Sequence, residues 1–148
     1  MKNKKIAITI LVIISAVLIS LGVFFAIRLR NINKYTVADE YEVKGVKITS
    51  VKSVLGEKKV KKYSYKKNTT QILELEFEDT NKEQSAKEYL DYIKDNGNYI
   101  EMEVKEENKR QIASPDVDIT TVQTEITDEG FKVTIEVGPG KMKMNYTE

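Results

Sequence analysis

Residues 71–97, QILELEFEDTNKEQSAKEYLDYIKDNG, decide the fold class. In the first eight, Leu73, Leu75 and Phe77 alternate with Glu74, Glu76 and Glu78. That period of two is the mark of a strand with one apolar and one charged face. The period then changes. Ala86, Tyr89, Leu90 and Ile93 recur at helical spacing and form an apolar stripe. Thr80 and Glu83 have the spacing of a capping box, in which hydroxyl and carboxylate each satisfy a free backbone N–H. Asn96-Gly97 ends the helix, and Gly97 is expected to take the left-handed conformation there. A half-buried strand running into an amphipathic helix implies a sheet with that helix lying across one face.

The flanking segments supply the other strands. On the N-terminal side, Val43–Val54 alternates loosely and Leu55-Gly56-Glu57-Lys58 supplies a turn. Lys59–Lys67 reads as a strand rich in Tyr and Lys, joined to residue 71 by Asn68-Thr69. A two-residue turn would set Lys59 opposite Glu78, Val60 opposite Phe77, Lys61 opposite Glu76 and Tyr63 opposite Glu74. On the C-terminal side, Tyr99–Lys105 alternates with Ile100, Met102 and Val104 inward, and residues 106–115 read as a polar loop. Ile119–Ile126 and Phe131–Val137 are strands around the turn Thr127-Asp128-Glu129-Gly130. Gly138-Pro139-Gly140 is expected to break the second, and Met142, Met144 and Tyr146 to form a last edge strand. Strands and helices do not alternate as βαβ units. The expected class is α+β, a small antiparallel sheet with one helix packed on a face.

The N-terminus is of another kind. Residues 6–27, IAITILVIISAVLISLGVFFAI, are 22 residues without a charge, flanked by Lys2, Lys4 and Lys5 and by Arg28 and Arg30. A hydrocarbon core of roughly 30 Å needs about 20 helical residues. The apolar core of a secretory signal runs to only about 15. Cleavage at Ser20-Leu21-Gly22 would leave Val23 to Ile27 at a new terminus in water. The expectation is an uncleaved single-pass anchor: residues 1–5 a cytoplasmic tail, 6–27 the transmembrane helix, 28–42 a juxtamembrane stalk and 43–148 the domain. The slight excess of basic residues before the span places the domain outside the cytoplasm.

Composition removes several chemistries. The 148 residues include no Cys, His or Trp. Nucleophilic pairs built on histidine or cysteine and the usual zinc ligands are excluded. Gly138-Pro139-Gly140 lacks the Lys and the helix of a phosphate loop, and Asp116-Val117-Asp118 lacks the Gly and distal Glu of an EF-hand. No cofactor is implied. The abundance of Lys, Asn, Ile and Glu resembles the output of AT-rich bacterial genomes. In layout and composition the chain is similar to small single-pass proteins of low-GC Gram-positive bacteria.

Charge is unevenly spread. Residues 44–67 hold nine Lys against Glu57, whereas residues 68–148 hold 9 Lys or Arg against 19 Asp or Glu. Glu74, Glu76 and Glu78 share a face, so a two-carboxylate hydrolase is one reading. Charge pairing with the neighbouring lysine strand is the plainer one. In that register Lys58, Lys62, Lys66 and Lys67 lack an acidic partner, and they form a candidate polyanion site. An anionic lipid headgroup or wall polymer is the expected ligand, and nucleic acid is not. The leading functional expectation is a non-enzymatic, membrane-tethered accessory domain of a bacterial envelope, with another envelope protein as its partner. A headgroup- or polymer-binding module is the first alternative and a carboxylate-dependent hydrolase the second.

Overall fold

The alternation at 71–78 folds as an interior strand of a six-stranded antiparallel sheet. The computed structural model describes residues 2–115 and 118–139. A long helix α1 (Lys2–Val37) leads into a hairpin, β1 (Glu40–Val43) and β2 (Val46–Thr49), then a short helix α2 (Val51–Leu55). Strands β3 (Val60–Lys67) and β4 (Gln71–Glu78) precede helix α3 (Lys82–Asp95). Four strands follow: β5 (Ile100–Met102), β6 (Lys109–Ser114), β7 (Asp118–Ile126) and β8 (Gly130–Pro139). The sheet order is β3-β4-β8-β7-β6-β5, and β1-β2 form a separate two-stranded sheet. The layout is α+β.

One face of the sheet carries the core. Leu73, Leu75 and Phe77 lie opposite Ile135, Val133 and Phe131, and Val137, Ile112 and Val122 extend the layer. The rings of Phe77 and Phe131 stack with centroids 5.2 Å apart. Helix α3 covers this face with Ala86, Tyr89, Leu90 and Ile93, all buried. Each large side chain so placed contributes about 1.5–3 kcal/mol relative to exposure. The hairpin closes the end of the core with Tyr41, Val43 and Ile48. Its polar atoms are matched: the Tyr89 hydroxyl donates to Thr49 O at 2.9 Å, and the Tyr41 hydroxyl accepts from Val51 N at 3.1 Å. Burial pushes the Tyr41 phenol up to about 12.

Helix α1 does not end at the membrane-length run. It continues through residues 28–37, where a stalk is expected from the polar composition. Ile32, Tyr35 and Thr36 lie at helical spacing and turn inward, with Thr36 buried. Thr36 Oγ1 accepts from Val60 N at 3.1 Å, and Asn31 Nδ2 donates to Tyr63 Oη at 2.8 Å. The folded unit therefore begins well before Val43, and Tyr41 is among its largest fully buried side chains. The apolar run itself is exposed: none of its 18-residue window is buried, and Ile19 is 68% exposed. It is a helix long and apolar enough to cross a membrane.

Several local expectations are corrected. The segment 43–54 is a hairpin and a helical turn rather than one strand, because Lys44 (φ 50°) and Gly45 (φ 77°) form a tight two-residue turn. The β3–β4 connection is three residues, 68–70, so Lys62 rather than Lys61 sits opposite Glu76. A bulge between Val60 and Lys62 absorbs the extra residue and returns Val60 to Phe77 on the core face. The Thr80–Glu83 box is not formed. The helix starts later, after Asn81, and Asp79 Oδ1 accepts from Asn81 N at 2.8 Å instead. Gly97 has no positive φ; a Cβ there would lie 2.7 Å from the Tyr99 ring, so close packing is its reason. Ile100 is exposed. Residues 109–114, expected as loop, form β6 with Ile112 and Ala113 buried. Strand β8 runs on to Pro139, opposite Asp118. The edge strand expected at Met142–Tyr146 lies outside the described residues.

Candidate functional site

The direction of β3 orders the whole domain. Its start, Val60, bonds Thr36, and its middle, Tyr63, bonds Asn31, five residues earlier along α1. Strand β3 thus runs back along α1 toward the apolar segment, and Arg28 shares a groove with Lys62, Tyr63 and Ser64. The turns at 44–45 and 68–70 lie at that end, linked by Lys44 Nζ donating to Thr69 O at 3.3 Å. The turn at 127–130 lies at the other end, beside Glu78 and Asp79.

The four lysines expected to form one site do not lie together. Lys58 sits at the far end of β3, where its Nζ is 3.0 Å from the Oδ2 of Asp79, whose side chain is 5% exposed. It has the acidic partner that the two-residue register denied it. Lys62 and Lys66 are on the outer face of the sheet, opposite Glu76 and Ile72. Only Lys67 turns to the other side, into a cleft of about 610 Å³ between α1, the β1–β2 turn and β3. There it joins Lys34 and Lys44, which come from the expected stalk and from the hairpin turn. Tyr35, Tyr63 and Tyr65 form the floor and Glu42 is the one carboxylate. The ammoniums of Lys34 and Lys67 stand 5.9 and 5.5 Å from the Tyr35 and Tyr65 ring centroids. The stripe Ile32-Tyr35-Thr36 could have shown in sequence that Lys34 is on a docked helix; nothing local marks Lys44 as its neighbour.

The glutamate face carries a row of alternating charges, with Glu74 beside it opposite Ser64 and Thr134. Register places Lys62, Glu76, Lys132, Glu125 and Lys109 in one row across five strands, alternating in sign. Lys132 Nζ is 3.2 Å from Glu125 Oε2. Lys61 is drawn to Glu129 and lies 3.9 Å from Glu78. A second network joins α3 to the β5–β6 edge, where Arg110 bridges Asp91 at 2.5 Å and Glu101 at 2.6 Å.

These partners set the titration of the carboxyls. Hydrogen bonds from Lys87 to Asp91, from Arg110 to Glu101 and from Lys61 to Glu129 hold all three below their ordinary range. At Asp79 burial pulls upward, but Ser85, Lys58 and the Asn81 N–H together outweigh it and the net shift is down. A depressed carboxyl is a poor general acid at neutral pH. Among the described residues no three Asp or Glu side chains converge where they could hold a metal ion. Comparison with family models, with curated proteins and with solved structures found no match to the chain.

Proposed function

We propose that this chain is a non-enzymatic, membrane-tethered interaction domain of a bacterial envelope, with the sheet outside the cytoplasm and another envelope protein as its partner. The observation that carries the reading is the continuity of α1. One helix runs from the exposed apolar turns into the domain, where Asn31 and Thr36 bond β3. A fully exposed apolar run of this length favours a lipid environment strongly. Cleavage after Gly22 would still leave Val23, Phe24 and Phe25 exposed on the helix that the domain depends on. The docked end also means that the sheet is not on a swinging tether. Its height and tilt follow those of the span, which suits a domain that must meet a neighbour at a fixed distance from the bilayer. The alternating charges of the outer face offer such a neighbour a specific register.

The test is biochemical. Full-length chain expressed in a Gram-positive host should stay in the membrane after alkaline carbonate extraction, with its intact mass. Protease added to protoplasts should remove the sheet domain. A mature form beginning near Val23, or a domain protected in intact protoplasts, contradicts the reading.

A further inference from the structure

We propose that the cleft between α1, the β1–β2 turn and β3 binds the phosphate of an anionic lipid headgroup, with Lys34, Lys44 and Lys67 as its cationic walls. The proposal rests on the membrane-tethered reading, since it takes its ligand from the bilayer at the end of α1.

Three elements distant in sequence bring three lysines to the lining of one concavity, which holds a single acidic residue, Glu42. Each wall is fixed. The Gln71 Oε1 accepts from the Lys44 backbone N–H at 3.1 Å and from the Tyr65 hydroxyl at 2.6 Å, so the hairpin turn is tied to β3. Lys44 itself holds φ 50°, a conformation uncommon outside glycine. Lys34 and Lys67 stand over tyrosine rings, which reduces the freedom lost when a ligand orders them. Lysine is a compact point charge suited to phosphate, and three of them with ring faces alongside match a headgroup of phosphate and polyol.

The height is also right. Asn31 lies four residues past Ile27, about 6 Å along an upright helix. Lys34 lies about 10 Å past it by the same rise. The headgroup layer is roughly 5–8 Å deep on each side of the hydrocarbon. The α1 residues that line the cleft, Asn31, Lys34 and Tyr35, therefore lie within that layer and at its outer margin. A soluble phosphate ester would carry the same chemistry without this placement, and a wall polymer or an acidic protein would be a different class of partner.

The experiment uses the full chain in phosphatidylcholine nanodiscs, with amide resonances of Gly45 and Gln71 as the readout and those of Leu90 and Val133 as the fold control. Raising the fraction of phosphatidylglycerol should shift Gly45 and Gln71 saturably. Free glycerol 3-phosphate at equal total concentration should shift them far less. Lys44→Gln with Lys67→Gln should weaken the lipid response about 25-fold, or about fivefold per lysine. Lys62→Gln with Lys66→Gln, on the outer face, should leave it within about twofold. The site is overturned if phosphatidylglycerol leaves Gly45 unmoved, or if the outer-face pair abolishes the response and the cleft pair does not. Equal saturation by free glycerol 3-phosphate overturns the lipid assignment. Failure of the chain to co-elute with the discs overturns the anchoring itself, whereas co-elution with an unmoved Gly45 overturns the site alone.

Discussion

Removing the charge of Lys58 is expected to destabilise the domain more than removing the charge of Asp79 that it balances. The two side chains are 26% and 5% exposed and stand 3.0 Å apart. Lys58→Met leaves a buried carboxylate whose Oδ1 still accepts from Asn81 N and whose Oδ2 has lost its counter-charge. Breaking a buried pair from one side costs about 3–5 kcal/mol, and the bonds retained from Asn81 N–H and Ser85 put this case near the lower end, about 3 kcal/mol. Asp79→Asn keeps an acceptor for Asn81 and leaves only Lys58, which can turn to water, so about 1–2 kcal/mol is expected. The assay is thermal unfolding of the full chain in a neutral detergent, followed by tyrosine circular dichroism in the near ultraviolet. At about 3–5 °C per kcal/mol for a domain of this size, Lys58→Met should lower the midpoint by about 9–15 °C. The pH dependence has a definite sign. The folded Asp79 carboxyl titrates below its ordinary value. Its contribution is therefore present above the unfolded pKa of about 3.9 and is lost as pH falls through the lower folded value. In Lys58→Met the lone carboxylate gains from protonation, so the gap to the unaltered chain should narrow below about pH 4. A variant within about half a kcal/mol of the unaltered chain at pH 7 would show that the carboxylate is hydrated and the pairing argument wrong. So would a gap that is the same at pH 7 and pH 3.

Leu90→Ala should cost about 2–5 kcal/mol, because Leu90 is fully buried between α3 and the sheet; a loss under half a kcal/mol in the same melt would mean that the stripe is not core. Gly130→Ala should be worse than its place in a turn suggests, at least about 3 kcal/mol, since a Cβ there would lie 1.9 Å from Phe77 O and 2.9 Å from Asp79 N; a near-neutral melt would contradict the β4–β8 approach. Lys132→Glu and Glu125→Lys should each destabilise slightly and recover about 0.2–1 kcal/mol when combined; strict additivity in the double-mutant cycle would contradict the row of charges on the outer face.

What was legible in sequence was whatever a single period records. Leu73, Leu75 and Phe77 announced β4, and Ala86, Tyr89, Leu90 and Ile93 announced the buried face of α3. The antiparallel α+β layout followed from them. Strand β6 has no period of its own, because Lys109, Arg110 and Gln111 precede three consecutive buried residues, Ile112, Ala113 and Ser114, and it is specified by its pairing with β7. The β3–β4 register differs by one from that of a two-residue turn because Thr70 adds a third residue to the connection, and only the bulge keeps Val60 on the core. That one residue makes Lys62 rather than Lys61 the partner of Glu76. The pairing of Lys58 with Asp79 was missed because it rests on where Asp79 turns at the start of α3. The basic cleft was invisible for a different reason. Lys34, Lys44 and Lys67 meet only because α1 continues past residue 28 and lies against β3; the stripe Ile32-Tyr35-Thr36 hints at that continuation, but nothing local places Lys44 or Lys67 beside it.

The central claim is that α1 is a retained membrane helix that holds the basic end of the sheet at the bilayer. The chain has no native cysteine, so single spin labels at residue 69 and at residue 128 report the two ends of the sheet without interference. The β4 strand between them is 8 residues long, about 27 Å. Oxygen and nickel-chelate accessibility of each label, in the full chain reconstituted into liposomes, measures its depth. The label at residue 69 should sit in the headgroup layer and the label at residue 128 in bulk water, more than about 15 Å further out. Equal depths for the two labels, or a label at residue 128 closer to the bilayer, would contradict the account.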